Sequence, residues 1–231
     1  ELVYPGIPSL RDFCSSSREM LRIGIPASGA NMLTPVAAGV MTAIAATYGE
    51  STVAAFGVGS RIEAIACLIV LALSSTLPPF ISQNYGAQLY DRVCQGLRLS
   101  LRFVLFWQFG LYILVALTAP WIAMVFTTDE TVRDIITMIL RILPASYAFQ
   151  GMVVLSASSF NALHAPRNGL ITSLTRFMVF YVPLALIGNQ LGGIQGLFIG
   201  AAIGNLLAGL VITRWIGIYT RRLQLDCEPS L

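Results

Sequence analysis

Long uncharged runs separated by short charged segments are the dominant pattern of this chain. Such runs lie between Arg22 and Glu50, Glu63 and Asp91, Arg102 and Asp129, Arg141 and Arg167, and Arg176 and Arg214. Each holds about 25 residues or more, and about 20 suffice for a helix to cross the hydrocarbon core of a bilayer. Membrane-spanning barrels would instead show short segments of alternating hydrophobicity, a pattern not found here. The runs predict an all-α membrane protein, a six-transmembrane-helix bundle with helices over 20–48, 52–82, 96–119, 131–163, 168–189 and 194–219. Residues 1–19 then form a lead-in, 20–219 the bundle and 220–231 a tail.

The connecting segments carry an orientation signal. Arg11, Arg18 and Arg22 precede the first helix, Arg92, Arg98 and Arg102 surround the second loop, and Arg167 sits in the fourth. Arg214, Arg221 and Arg222 close the sequence of helices, whereas the first and third loops offer Glu50, Asp129, Glu130 and Asp134 against Arg133. Arginine-rich segments stay on the cytoplasmic side, so both termini are expected there, in a multi-pass plasma-membrane protein.

Proline and glycine mark where these helices should be irregular. A proline inside a helix frees a carbonyl and bends the axis, and in a membrane the freed group must be satisfied by a neighbour or a cavity. Pro26, Pro35, Pro78, Pro79 and Pro144 are therefore candidate breaks or hinges, with the second helix expected to end at Pro78–Pro79; Pro183 does the same in the fifth helix. Gly192, Gly196, Gly200, Gly204 and Ala208 recur every four residues, a ladder of small side chains suited to close helix packing inside the bundle.

Composition narrows the function. The chain is 56% hydrophobic and 11% charged, far below the roughly 25% charge of a soluble domain. All its basic residues are arginine and they are dispersed, which disfavours a nucleic-acid surface. Cys14, Cys67, Cys94 and Cys227 are widely separated and the lone His164 has no partner, so neither a metal site nor a cofactor is expected. No nucleophile-elbow, zinc-protease or phosphate-loop motif occurs; the chain does not read as an enzyme. It begins at Glu1 with neither Met nor a signal-peptide pattern, as a piece of a longer protein would.

The charges inside the spans carry the candidate chemistry. Ionisable residues at membrane depth are costly and by default mark function. Arg61 and Glu63 are two positions apart, so they face different neighbours on a helix. Glu63 lies about ten residues below the outer end of its helix, roughly 15 Å deep. Two readings stand for it: a fixed ion pair with Arg141 at similar depth, or a carboxylate that takes up and releases a proton during a transport cycle. Arg61 can snorkel outward or pair with Asp134, and Arg176 is expected to reach the cytoplasmic interface. Asn31, Tyr147, Gln150 and Asn161 add neutral hydrogen-bonding groups that suit a cavity for small amphipathic, possibly cationic, organic cargo; hydrogen bonding between helices is the ordinary role for each.

Three segments carry a family likeness: LRIGIPASGANMLTP, VAAFGVGSRIEAIACLIVLALSSTLPPFISQNYGA, and WIAMVFTTDETV leading into LRILPASYAFQGMVVLSASSFNALHAPRNG. In this order, over nearly the whole chain, they resemble the multidrug and toxic compound extrusion (MATE) family of secondary transporters. That resemblance implies the C-terminal six-helix lobe of a twelve-helix antiporter in a bacterial inner membrane, working with an N-terminal six-helix lobe and exporting amphipathic compounds in exchange for protons or sodium. It also implies where a cation site of some members would fall, near Thr34 and at Gly151 beside Tyr147. Neither position is acidic, so protons are expected over sodium. The alternatives are a lipid-linked oligosaccharide flippase of the same superfamily, expected to line its cavity with arginines, and a membrane scaffold without transport activity.

Overall fold

A computed structural model describes residues 10–225; within 10–31 several side chains, those of Pro26 and Asn31 among them, lie outside the described residues. The described chain is helical from end to end, with elements α1 (Leu10–Ala46), α2 (Glu50–Ala66), α3 (Leu68–Gly86), α4 (Tyr90–Phe126), α5 (Glu130–Ile142), α6 (Tyr147–Ala162), α7 (Pro166–Leu174) and α8 (Val182–Leu225). A 3₁₀ turn, Leu143–Ser146, joins α5 to α6, and a π-helical segment, Thr175–Tyr181, joins α7 to α8. These elements assemble as six rods: α1, α2 with α3, α4, α5 with α6, α7 with the first arm of α8, and the second arm of α8. Three helical runs are long and apolar enough to cross a membrane, Tyr90–Phe126, Glu130–Ala162 and Pro166–Leu223, and a fourth if the bent pair α2–α3 is one span. The apolar part of α1, Met32–Ala46, is shorter.

The run Pro166–Leu223 is itself folded back. Gly192 and Gly193 leave helical geometry, Gly193 at φ 56°, a left-handed conformation that glycine adopts without a Cβ penalty. Beyond this break the two arms lie backbone to backbone. A Cβ on Gly196 would meet the carbonyl oxygen of Gly188, one on Gly200 that of Leu184, and one on Gly204 that of Phe180. The pairs step together away from the break, so the arms run antiparallel in one register. The glycine ladder is thus an internal seam, as its spacing predicted, with Gly192 at the turn instead of in the seam. At the turn, Tyr48 Oη donates to Asn189 Oδ1 at 2.7 Å, fastening the end of α1 to the hairpin.

The second rod breaks elsewhere than expected. Pro78 and Pro79 lie inside a continuous α3, while the bend, 41°, falls at Cys67. The prolines take away the helix donors of the Ser74 and Ser75 carbonyls, a loss that a membrane helix tolerates without breaking, and α3 runs through them. At the bend, the buried Gln108 of α4 donates Nε2 to the Ala66 carbonyl at 3.0 Å, supplying from a neighbouring helix the bond that a break in hydrocarbon requires. Pro35 is likewise inside unbroken α1, as is the backbone of Pro26. Pro144 does mark a break: it lies in the 3₁₀ turn between α5 and α6. Asp129 caps the entry to α5, accepting from Thr131 N at 2.8 Å.

Two apolar clusters fill the bundle. One joins α1, α2, α4, α5 and the hairpin around Met41, Ala119, Ile139, Leu140 and Phe198. The other joins α3, α4, α6 and the far arm of α8 around Val70, Ile81, Leu155, Phe160 and Ile216. Large apolar side chains such as Phe106, Leu117, Trp121 and Val125 on α4 point outward and are exposed, as a helix bordered by lipid requires.

Candidate functional site

The three irregular segments meet between the two apolar clusters. The bend after Ala66, the 3₁₀ turn at 143–146 and the π segment at 175–181 each place polar groups there. Glu63, one turn before the bend, accepts a hydrogen bond from Gln150 Nε2 at 2.7 Å. Arg176, in the π segment, is 5% exposed; its Nε donates to Asn205 Oδ1 at 3.0 Å. Asn205 in turn donates Nδ2 to the Ser146 hydroxyl at 3.3 Å, and the guanidinium sits 4.5 Å from the centre of the Phe177 ring. Glu63 is close enough to Arg176 for the two charges to attract. Tyr147 is buried beside them, and among the described residues its hydroxyl finds no hydrogen-bond partner. Irregular backbone at membrane depth persists where it is buried in protein, and π segments recur at functional positions; both conditions meet at Arg176.

This geometry revises several expectations. Arg141 is exposed, and no ion pair between it and Glu63 occurs among the described residues. Equal depth along two helices does not fix their rotation, and rotation turns Gln150 toward Glu63. Arg61 is also exposed, and no pairing with Asp134 occurs among the described residues. Arg176 does not reach the interface; it is buried and its Nε is held by Asn205. Tyr147 and Gln150 belong to the Glu63 cluster. Asn161 lines a separate cavity of about 190 Å³ with Thr34, Ser74, Ser158, Ser173 and Arg176, so Arg176 is common to both. The side chain of Asn31 lies outside the described residues.

Asn205 and Ser146 were missed in the sequence. A signal was present: Asn205 is an amide set among the small residues of an otherwise apolar helix, where it needs a buried partner. At Gly151, a Cβ would meet Val104 Cγ1 at 2.8 Å and Val70 Cγ2 at 3.0 Å, so an acidic side chain there would have to displace two core valines.

A bundle of broken, lipid-bordered helices around an interior polar junction is the architecture of a membrane transporter lobe. The MatE family model matches residues 26–187. The FAD transporter of Shewanella oneidensis is 39% identical over 83% of the chain and 42% of its own length. The multidrug export protein MepA of Staphylococcus aureus is 24% identical over 92% of the chain and 47% of its own. Among solved structures, the Vibrio cholerae MATE transporter VcmN in its bent form superposes with a TM-score of 0.87 at 32% identity, covering 92% of this chain and 48% of that one. The chain belongs to the MatE family of transporters, and it spans about half the length of the relatives it matches. The outward-facing helices and the family together make it a multi-pass membrane protein.

Proposed function

We propose that this chain, with residues 20–219 as its bundle, is the C-terminal lobe of a secondary antiporter that exports amphipathic organic compounds across a bacterial inner membrane. Both of its ends then face the cytoplasm, and an N-terminal six-helix lobe completes the transport cavity, since alternating access works by rocking one half against the other. The observation that carries the reading is the polar junction: half-buried Glu63 held by Gln150, and buried Arg176 held by Asn205, where three rods are broken. Ionisable groups at such depth mark transport pathways and proton relays. Protons are favoured over sodium as the coupling ion, because Gly151 is packed against Val70 and Val104 and leaves no room for a second carboxylate. In the full-length protein, Glu63→Gln is expected to abolish drug-stimulated proton release from proteoliposomes. Antiport at the unaltered rate would overturn the role of Glu63 and move coupling to the other lobe.

A second reading of the cargo has its own support. The relative of higher identity, from Shewanella oneidensis, is an FAD transporter, and a flavin dinucleotide is both amphipathic and anionic. Export assays with FAD and with a cationic dye, run side by side, separate the two cargo classes.

A further inference from the structure

A basic cleft lies at the end of the bundle opposite the hairpin turn. It is formed by the first turns of α4 and the last turns of α8 and has a volume of about 510 Å³. Arg98 from α4 and Arg214 and Arg221 from α8 line it, and all three are exposed. Its wall includes Leu97 and Leu101, both buried, and Thr213, whose hydroxyl has no hydrogen-bond partner among the described residues. Among the described residues no aspartate or glutamate lines it, and none of the three arginines has a carboxylate partner. Three like charges converging on one cleft repel each other, so the cleft is more stable with an anion in it.

The position of the cleft identifies the anion. α4 has 37 residues, about 55 Å of helix, against about 30 Å of hydrocarbon and 40–45 Å with the headgroup regions. Its uncharged stretch begins after Arg102, so Arg98 stands at the level of the lipid phosphates while the rest of α4 runs down into the acyl region. Exposed apolar side chains flank both helices below the arginines. Basic pockets between membrane helices on the cytoplasmic side hold anionic headgroups.

We propose that this cleft is a binding site for an anionic phospholipid, whose phosphate oxygens accept hydrogen bonds from Arg98, Arg214 and Arg221 while its acyl chains lie along α4 and α8. The site is separate from the buried cluster and goes beyond the transport reading. The test is native mass spectrometry of the full-length protein in detergent, with phosphatidylglycerol, cardiolipin or phosphatidylcholine added. The unaltered protein is expected to retain the two anionic lipids and release phosphatidylcholine. Each Arg→Gln change should lower retention about five-fold, and the triple variant R98Q/R214Q/R221Q should abolish it. The charge-preserving triple variant R98K/R214K/R221K should hold most of the lipid, which separates loss of the site from loss of the fold. Equal retention of phosphatidylcholine, undiminished binding by the triple Gln variant, or displacement of the lipid by millimolar inorganic phosphate would each overturn the proposal. Glu63→Gln protein should keep its lipid, so a failure of the coupling role leaves this result intact.

Discussion

The glycine hairpin of α8 and the polar junction around Glu63 and Arg176 hold the same bundle together by different means. The hairpin is a contact of shape. Gly188, Gly196, Gly200 and Gly204 let two backbones touch along one register, and no side chain takes part. In lipid, where apolar surface gains little from being covered, such close packing is a main source of helix association. The junction is a contact of partners. Glu63 with Gln150, Arg176 with Asn205, Asn205 with Ser146 and Gln108 with the Ala66 carbonyl are four hydrogen bonds from helices distant in sequence. The first arrangement tolerates no added volume; the second tolerates no lost partner. A transporter lobe needs both, because it moves as a body while its interior holds charge.

The largest expected effect tests the shape side. Gly196→Val drives a branched side chain into the Gly188 carbonyl, and overpacking of this kind against backbone costs about 3 kcal/mol or more. The variant should yield little monodisperse protein in size-exclusion chromatography of the solubilised full-length chain. Near-normal yield and melting temperature would mean that the two arms are not in contact. A smaller effect tests the partner side. Asn205→Leu leaves the Arg176 guanidinium without its acceptor, worth about 2 kcal/mol for a buried bond to a charged group. Thermal unfolding should move down accordingly, and the cost should largely vanish in the Arg176→Leu/Asn205→Leu background if the two act as a pair. The smallest is Gln108→Leu, which removes the cap on the bend and should cost about 1 kcal/mol. Because that bend sits one turn from Glu63, this variant should also slow proton release more than its stability loss explains.

Much of the architecture was legible in the chain. The alternation of apolar runs and arginine-bearing loops marks the rods, and the glycine spacing marks the seam, since both depend on local geometry and on the thickness of a bilayer. The opening motifs pointed to the family that the comparisons establish. The site was legible only in its ingredients. Glu63 and Gln150 both stand out in the sequence, yet Arg141 is the partner it suggests where an ion pair is considered for Glu63, because depth along a helix can be counted from sequence and rotation about its axis cannot. Arg176 is expected at the interface for the same reason: it lies near the cytoplasmic end of its helix, and nothing local reveals that Asn205 stands opposite. Pro78 and Pro79 misled in the other direction. They remove two helix donors, yet α3 runs through them, while the bend at Cys67 is met by a glutamine from α4.

The sequence by itself therefore determined that this protein is a bundle of membrane-length helices, where its charges lie in depth, and which helix face must be small. Its periodicities express distances along one helix, and those distances are fixed by backbone geometry. The tertiary structure decided which polar groups meet, where the second rod bends, and that Arg98, Arg214 and Arg221 share one cleft. Those outcomes depend on how rods rotate and pack against one another, a collective balance to which every helix contributes and which no single segment encodes.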